Sequence, residues 1–170
     1  MTLNGNCAVD ECAVINASPL ILLSRSGHVD LLSHFARQVL VPEQVAAEIL
    51  VRGVGDPTVR AIRTRTWLRV VPVERIPTSV LEWGLGPGES AVLALALATP
   101  NAVAVIDDLL GRKCAGAHGV PLRGTIGIVL AAKEKGHIPA VRPVIEDLLG
   151  SGLYLSRNIV DYVLRLAGER

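Results

Sequence analysis

Short runs of apolar residues alternate along this chain with longer stretches in which apolar positions recur at helical spacing. The most informative run covers residues 102–106 and leads directly into two adjacent carboxylates, Asp107 and Asp108. Since polar and apolar positions do not alternate within this run, it predicts a strand that is buried on both faces, as in a parallel sheet. Four further runs predict the other strands, at 13–15, 38–41, 68–73 and 120–122.

The stretches between these runs predict helices. Ser18 and Pro19 have the residue types of an N-cap and a first helical position, and Gly27 is a typical helix end. Further helices are predicted at 29–35, 42–53, 56–65, 89–99, 109–118, 124–136, 141–149 and 156–166. The helix at 89–99 is apolar on all sides, so we place it in the interior.

Alternation of short strands with helices predicts an α/β fold, a three-layer α/β/α domain with a short central parallel sheet. We expect a single domain over residues 1–170. Residues 1–12 are expected to form a polar N-terminal tail, and residues 140–170 a helical C-terminal extension.

Composition narrows the function classes. Half of the 170 residues are hydrophobic, which is enough for a substantial core. The net charge is +1, so the chain has no overall basic character of the kind that marks nucleic-acid binding. Aromatic residues make up 3% of the chain, and no stacking platform for single-stranded nucleic acid is evident.

The three cysteines, Cys7, Cys12 and Cys114, do not form a disulfide framework and are expected to be inert thiols. No stretch contains the roughly 18 apolar residues that a membrane span needs. The first residues also lack the features of a signal peptide. We therefore expect a cytoplasmic protein that does not contact a membrane.

Polar residues from separate elements are predicted to meet at the carboxyl edge of the sheet, where open α/β sheets bind ligands. Asn16 ends the first strand, and Asp107 and Asp108 follow the central strand. Glu89 lies in the first turn of the apolar helix, and Glu48 lies on an earlier helix. Adjacent carboxylates repel one another unless a cation, hydrogen bonds or solvent compensates. Because Mg²⁺ and Mn²⁺ prefer oxygen ligands, the set predicts a metal site suited to phosphoryl chemistry.

Each of these residues also has a purely structural explanation. Asp108 is a candidate N-cap for the helix that follows it, and Asn16 is a candidate turn or cap residue. Glu89 is a candidate first-turn acid that complements the helix dipole, and Glu48 a candidate solvated residue on a helix surface. Thr125 is predicted to be the N-cap of the helix at 124–136, close to the site.

Other chemistries lack their motifs. The glycines at 84, 86 and 88 do not form a phosphate-binding loop with its lysine. The histidines have no metal-ligand spacing with the cysteines. Ser18 and Ser90 lack the glycine context of a hydrolase nucleophile.

Basic residues provide candidate contacts to phosphates. The densest basic stretch comprises Arg52, Arg60, Arg63, Arg65 and Arg69. These residues either contact nucleic acid or form a solvated helix face. Arg112 and Lys113 lie nearer to the carboxylates in sequence and are candidates for holding a phosphate beside a metal.

In combination, these segments resemble the PIN-domain family over residues 13–169. The segments are VINASPLILL, VPEQVAAEIL, GPGESAVLALA, AVIDDLLGRKCA and RGTIGIVLAAKEKGHIP, in that order. The closing VRPVIEDLLGSGLYLS is similar to a branch of PIN-like proteins of about this length. The resemblance implies a three-layer α/β/α fold with acidic residues around Mg²⁺ or Mn²⁺. It also implies metal-dependent ribonuclease activity, often as the toxin of a toxin–antitoxin pair.

The resemblance also implies roles for individual residues. Asn16 stands where the family has its first Asp, and Asp108, or alternatively Asp107, stands at the acid after the fourth strand. The implied catalytic set is Asn16, Glu48, Glu89, Asp107, Asp108 and Thr125, of which Asn16, Glu89, Asp107 and Asp108 are the implied metal ligands. An amide at position 16 removes one ligand charge and should therefore weaken the binding of a metal ion. Two opposite charges about 4 Å apart attract by about 4 kcal/mol at an effective dielectric constant of 20.

We therefore expect a toxin-type endoribonuclease whose activity is weakened by Asn16. The alternative is a catalytically inactive PIN-like module that binds RNA or a protein partner. The expected partners are an RNA substrate, a small antitoxin and a second copy of the chain.

Overall fold

A computed structural model describes residues 10–170 of the chain. In this part, five strands are present: β1 (Asp10–Ile15), β2 (Ala36–Pro42), β3 (Leu68–Val71), β4 (Val103–Val105) and β5 (Leu122–Arg123). They form one sheet in the order β3-β2-β1-β4-β5, and every pairing is parallel. Helices flank this sheet, which confirms the predicted three-layer α/β/α fold.

The order of the strands creates a switch point between β1 and β4. The chain runs outward from β1 through β2 to β3, then returns to the other side of β1 as β4 and continues to β5. The pairing aligns Ile15 with Val105. Just beyond, the amide of Asn16 donates to the carbonyl of Val105 at 3.0 Å. Connections on the two sides of the switch point leave in opposite directions, so a crevice opens at this edge.

The helices follow the predicted pattern. In the part of the chain that the structure describes they are α1 (Ala17–Arg25), α2 (Leu31–Phe35), α3 (Glu43–Leu50), α4 (Pro57–Thr64), α5 (Thr78–Leu81), α6 (Pro87–Ala98), α7 (Leu109–Ala117), α8 (Thr125–Glu134), α9 (Arg142–Gly150) and α10 (Arg157–Leu166). The sequence did not predict α5, because its four residues are too short for a periodic signal.

Two predicted helix starts were wrong. The first helix is capped by Asn16, whose side chain accepts from the amide of Ala17, and not by Ser18. Pro19 fits inside this first turn because the amide that it lacks has no helical partner there. The apolar helix α6 begins at Pro87 rather than at Glu89, with Gly86 as its cap. Proline at the first helical position explains the early start.

The core forms around β1, β4 and α6. All three residues of β4 are buried, as the run at 102–106 predicted. Helix α6 packs on α3 and contacts β1, β2 and β4, while α2 packs on α8. The buried side chains of α6 confirm its predicted interior position, although Leu97 near its C-terminal end is exposed. The walls of the switch-point crevice therefore rest on closely packed apolar residues.

The carboxylate of Glu169, which follows α10, links this helix to the start of α9 and to the end of α8. Glu169 accepts from the amides of Val141 at 2.6 Å and Arg142 at 3.0 Å, where α9 begins. Lys133 at the end of α8 lies 3.4 Å from the same carboxylate. The hydrogen bond from the amide of Val141, with those from Arg142 and Lys133, holds the pKa of the Glu169 carboxyl below its ordinary value.

Two further predictions concern segments of which the structure describes only a part. The predicted N-terminal tail lies mainly outside them, but Asp10–Ile15 form β1, so the strand starts earlier than residue 13. Cys12 and Cys114 are free thiols, and Cys7 lies outside the described residues. Within residues 10–170, none of the helices combines the length and the hydrophobicity that crossing a bilayer requires.

Replacing Glu169 with Gln is expected to lower the free energy of unfolding, because a neutral amide offers one acceptor oxygen and no charge to α9. The pKa of Glu169 is lowered in the folded state, so its contribution is complete above the unfolded pKa and is lost as the pH falls through the folded pKa. The difference between wild type and variant should therefore be largest near neutral pH and vanish in acid. Urea denaturation over a pH series measures it. Glu146→Gln, at an exposed position of α9, is the control. A difference that persists at low pH would contradict this explanation.

Candidate functional site

An open cleft of about 710 Å³ lies at the carboxyl edge of the sheet, at the switch point. Asn16 reaches it from the end of β1, Glu48 from α3 and Glu89 from the first turn of α6. Asp107 and Asp108 reach it from the end of β4. The cleft therefore brings together five of the six side chains that the sequence placed in the catalytic set.

Asn16 connects the end of β1 to the acidic residues. Its side-chain oxygen accepts from the amide of Ala17 at 2.9 Å, and its side-chain nitrogen donates to Oε1 of Glu89 at 3.4 Å. The residue is buried. The N-cap bond orients the amide, so its donor group faces the Glu89 carboxylate. Asn16 thus supplies a neutral hydrogen-bond donor to the acidic cleft.

Glu89 has the most perturbed environment in the cleft. Partial burial raises the pKa of its carboxyl above the ordinary value, and the negative charge of Asp108 raises it further. The hydrogen bond from Asn16 lowers this pKa, and the charge of Glu48 raises it. Asp108 and Glu48 therefore lie near enough to raise the pKa of Glu89.

Two glycines allow the elements around Glu89 to approach. A Cβ atom at Gly88 would lie 3.1 Å from Oε2 of Glu48 and 3.7 Å from Oδ1 of Asn16. A Cβ atom at Gly111 would lie 3.0 Å from Cγ2 of Ile106 and 3.7 Å from Oε1 of Glu89. Side chains at these positions would occupy the space in which the cleft's oxygen atoms lie.

Asp108 is the N-cap of α7. Its Oδ2 accepts from the amides of Leu110 at 3.0 Å and Gly111 at 3.2 Å. The capping explanation of this residue is therefore confirmed. Both bonds use one oxygen, and the residue is exposed, so the cap leaves the other oxygen free of these bonds.

Asp107 forms a close pair with Thr125. The amide of Thr125 donates to Oδ1 of Asp107 at 2.7 Å, and its hydroxyl donates to Oδ2 at 2.6 Å. Thr125 is fully buried and is the first residue of α8, so its predicted role as N-cap was wrong. Gly124 holds the N-cap position and has no side chain, so Asp107 accepts the hydrogen bond from outside the helix. Thr125 contacts Asp107 and is not among the residues that line the cleft.

The arginines of α4 do not reach the cleft. Arg60 and Arg65 line a separate pocket beside Asp30, and Nε of Arg65 lies 2.8 Å from Oδ1 of Asp30. Arg63 is exposed on the same helix. Since α4 packs on α1 and on β3 at the sheet edge, its basic residues lie apart from the switch point.

The basic residues of α7 lie closer to the site. Nη1 of Arg112 donates to the carbonyl of Ile106 at 3.1 Å, and Arg112 lines a neighbouring groove that also includes Asp107. Lys113 is exposed and lines neither of these depressions.

The sequence did not identify several residues that line the cleft. They are Ala17, Ser18, Gln44, Gly86, Pro87 and Gly88. The Gly-Pro-Gly segment was a usable signal, because proline between two glycines before an apolar helix marks a helix start with little side-chain volume. No comparable signal identifies Gln44, whose Nε2 donates to the carbonyl of Val73.

The donor atoms of the cleft fit a hard divalent cation in kind. They include carboxylate oxygens and the amide oxygen of Asn16, which are ligands that Mg²⁺ and Mn²⁺ prefer. Within residues 10–170, no three His, Cys, Asp or Glu side chains are arranged closely enough to hold an ion by themselves. Mg²⁺ commonly keeps several waters and binds only one or two carboxylates directly.

The family comparison accounts for this combination of sheet order and acidic cleft. The family model for DUF3368, described as a PIN domain, matches residues 12–169. The chain belongs to the PIN-domain family. No curated protein matches it. PIN domains are in general nucleases that bind RNA and depend on divalent metal ions, so this PIN domain is placed among nucleases.

Replacing Asp107 with Ala is expected to lower the free energy of unfolding by about 1–2 kcal/mol, because α8 loses its external cap and the Thr125 hydroxyl loses its buried acceptor. Asp107→Asn is the matched variant, since its amide still offers an acceptor to the Thr125 amide and a donor to the hydroxyl. The free energy of unfolding of Asp107→Asn should fall by well under half as much as that of Asp107→Ala. Urea denaturation compares the two. Equal losses would show that the charge of Asp107, and not its hydrogen bonds, stabilises α8.

Proposed function

We propose that this PIN domain is a Mg²⁺- or Mn²⁺-dependent endoribonuclease of the toxin type. The observation that carries the proposal is the meeting of acidic side chains from α3, α6 and the end of β4 in one cleft at the switch point. The toxin role, with a small antitoxin as partner, rests on the resemblance of residues 13–169 to that branch of the family. A cytoplasmic location remains a prediction from the sequence.

Charge supports the dependence on a metal. The cleft contains Glu48, Glu89, Asp107 and Asp108, and RNA presents phosphates of the same sign. Like charges at short distance repel unless a cation lies between them. A divalent cation, when bound, supplies the positive charge that stabilises phosphoryl transfer. We propose that Glu89, Asp108 and the amide oxygen of Asn16 hold it.

Hydrogen bonds and neighbouring residues position these proposed ligands. Asn16 orients the Glu89 carboxylate through its amide nitrogen. Asp107 has both oxygens bonded to Thr125, so we propose that it acts by holding the start of α8 beside the cleft. Glu48 is exposed and adds negative charge near Glu89. Of the two adjacent acids, Asp108 is therefore the proposed ligand.

Paired variants at Asp108 and Asn16 test the proposal. Asp108→Asn keeps a good N-cap for α7 but removes the charge, so RNA cleavage with Mn²⁺ should fall by about 100-fold or more. Asn16→Asp also keeps its cap and adds a ligand charge, so cleavage should increase. Gel analysis of a labelled RNA measures both. Equal cleavage by the wild type in EDTA would refute the metal mechanism.

Thermal denaturation of Asn16→Asp provides a readout that does not depend on cleavage. Without metal, the variant places a carboxylate against Glu89 where an amide now donates, so it should melt below the wild type. Mn²⁺ should raise its melting temperature more than that of the wild type. Asn16→Ser, which retains an N-cap acceptor without charge, is the matched control and should show no larger response to Mn²⁺ than the wild type.

One observation favours a second function, an RNA-binding or partner-binding module without catalysis. Asn16 replaces a ligand charge with a neutral donor and partly relieves the repulsion around Glu89 without a metal. In that case no added metal produces cleavage, even in Asn16→Asp, while RNA or partner binding persists.

We also propose that the protein forms a homodimer through α10. Ile159, Tyr162 and Leu166 on this helix are 47%, 56% and 57% exposed, and their spacing places them on one face. This stripe adjoins the face that buries Val163 and Leu164, so the apolar surface of α10 continues beyond what the monomer covers. Light scattering should give the dimer mass for the wild type and the monomer mass for Leu166→Glu. A monomeric wild type would exclude the dimer.

A further inference from the structure

A second groove, of about 450 Å³, lies beside the acidic cleft and shares Asp107 with it. Its walls come from three separate parts of the chain. Arg112 lies on α7, Arg123 ends β5, and residues 153–155 connect α9 with α10. The proposed nuclease function gives this groove no role, although a strand of RNA that leaves the cleft past Asp107 would enter it.

The groove contains two positive charges, those of Arg112 and Arg123. Nη1 of Arg112 donates to the carbonyl of Ile106 at 3.1 Å, and Nη1 of Arg123 donates to the carbonyl of Leu122 at 2.9 Å. Among the described residues, neither arginine takes part in an ion pair. Backbone carbonyls thus hold both guanidinium groups, and Asp107 is the carboxylate that shares the groove with them. Guanidinium groups are well suited to bind phosphate oxygens.

Two glycines allow the arginines to lie close to the start of α8. A Cβ atom at Gly124 would lie 2.8 Å from Nη1 of Arg112 and 3.0 Å from Oδ1 of Asp107. A Cβ atom at Gly127 would lie 3.3 Å from Cδ of Arg123. Because α8 begins without side-chain volume at these positions, the two arginines can lie against its first turn.

Tyr154 provides an aromatic surface at the far side of the groove. The residue is 90% exposed. It is one of two tyrosines in the chain. Its neighbour Leu153 packs against the core and donates its amide to the carbonyl of Leu148 at 3.0 Å. The backbone at Tyr154 is therefore anchored while its ring contacts water. A nucleobase gains affinity by stacking on an exposed ring of this kind.

We propose that this groove binds single-stranded RNA, with Arg112 and Arg123 at consecutive phosphates and one unpaired base stacked on Tyr154. The inference rests on the proposed function in that it takes RNA as the ligand, and it assigns the strand a second binding site outside the acidic cleft. A base inside a duplex has no free face to offer the ring, so paired RNA binds only through the phosphates. The low aromatic content led us to expect no stacking platform, and Tyr154 is the exception.

Binding measurements without catalysis test this inference. Fluorescence anisotropy of a short labelled single-stranded RNA is measured in EDTA at about 50 mM salt, where phosphate contacts are strong. Tyr154→Leu keeps apolar bulk but has no aromatic face, so its dissociation constant should rise by about 5- to 30-fold. Tyr154→Phe should stay within about twofold of the wild type. Because the side chain is 90% exposed, both variants are expected to fold, and circular dichroism verifies it.

Arginine variants test the phosphate contacts in the same assay. Arg123→Gln should weaken binding and reduce the slope of affinity against salt by about 1. Arg37→Gln is the matched control. Arg37 is exposed at the amino-terminal end of β2, whereas the groove lies at the carboxyl edge of the sheet. Arg37→Gln should change neither the affinity for RNA nor its dependence on salt. An abasic site that weakens binding to the wild type but not to Tyr154→Leu would identify the stacked base.

The outcomes separate this inference from the proposed function. If the wild type binds RNA but never cleaves it, and Tyr154→Leu loses affinity, the nuclease proposal fails and the groove stands. If the wild type cleaves RNA with Mn²⁺ but Tyr154→Leu binds as tightly as the wild type, the groove proposal is overturned. Absence of RNA binding by the wild type, or equal affinity of all variants for duplex and single strand, also overturns it.

Discussion

The parallel pairing of β1 with β4 is the constraint on which the site depends. It aligns Ile15 with Val105, and the Asn16 amide extends the ladder by one bond to the Val105 carbonyl. Both strands therefore end at one level, and the polar residues that follow them emerge together. Because the chain turns away to opposite sides beyond this point, no connection crosses the crevice between them.

Three polar side chains of the site also cap three helices. Asn16 accepts from the first turn of α1, Asp108 from the first turn of α7, and Asp107 from the start of α8. The partial positive charge of each helix start stabilises the acceptor that it contacts. Structural and functional explanations of these residues are therefore compatible. The same hydrogen bonds that begin the helices hold the oxygens at fixed positions, which limits the reorganisation that binding a cation or a phosphate requires.

The surface around the site is divided by charge. Carboxylates line the cleft on one side of Asp107, and Arg112 and Arg123 line the groove on the other side together with the exposed Tyr154. The chain as a whole carries a net charge of only +1. Local arrangement, and not overall charge, thus supplies the electrostatic complementarity that an RNA strand needs on its way past an acidic centre.

Local pattern determined much of this protein. Unbroken apolar runs predicted the parallel sheet because strands buried on both faces have no polar side, and the residues after those runs predicted Asn16, Asp107 and Asp108 at its carboxyl edge. Glu48 and Glu89 were less certain, since an acid on a helix surface and an acid in a cleft have the same local pattern. Their positions on the two helices placed both acids in the predicted set, and the family resemblance implied the same assignment.

Only the tertiary structure decided which side chains meet. It placed Arg60 and Arg65 beside Asp30 and brought Arg112, Arg123 and Tyr154 into one groove. It also showed that Asp107, and not Gly124, supplies the acceptor at the start of α8. Periodicity reports how each residue relates to its own helix or strand. Contacts between residues far apart in the chain depend on how those elements pack, and a local pattern does not contain that information.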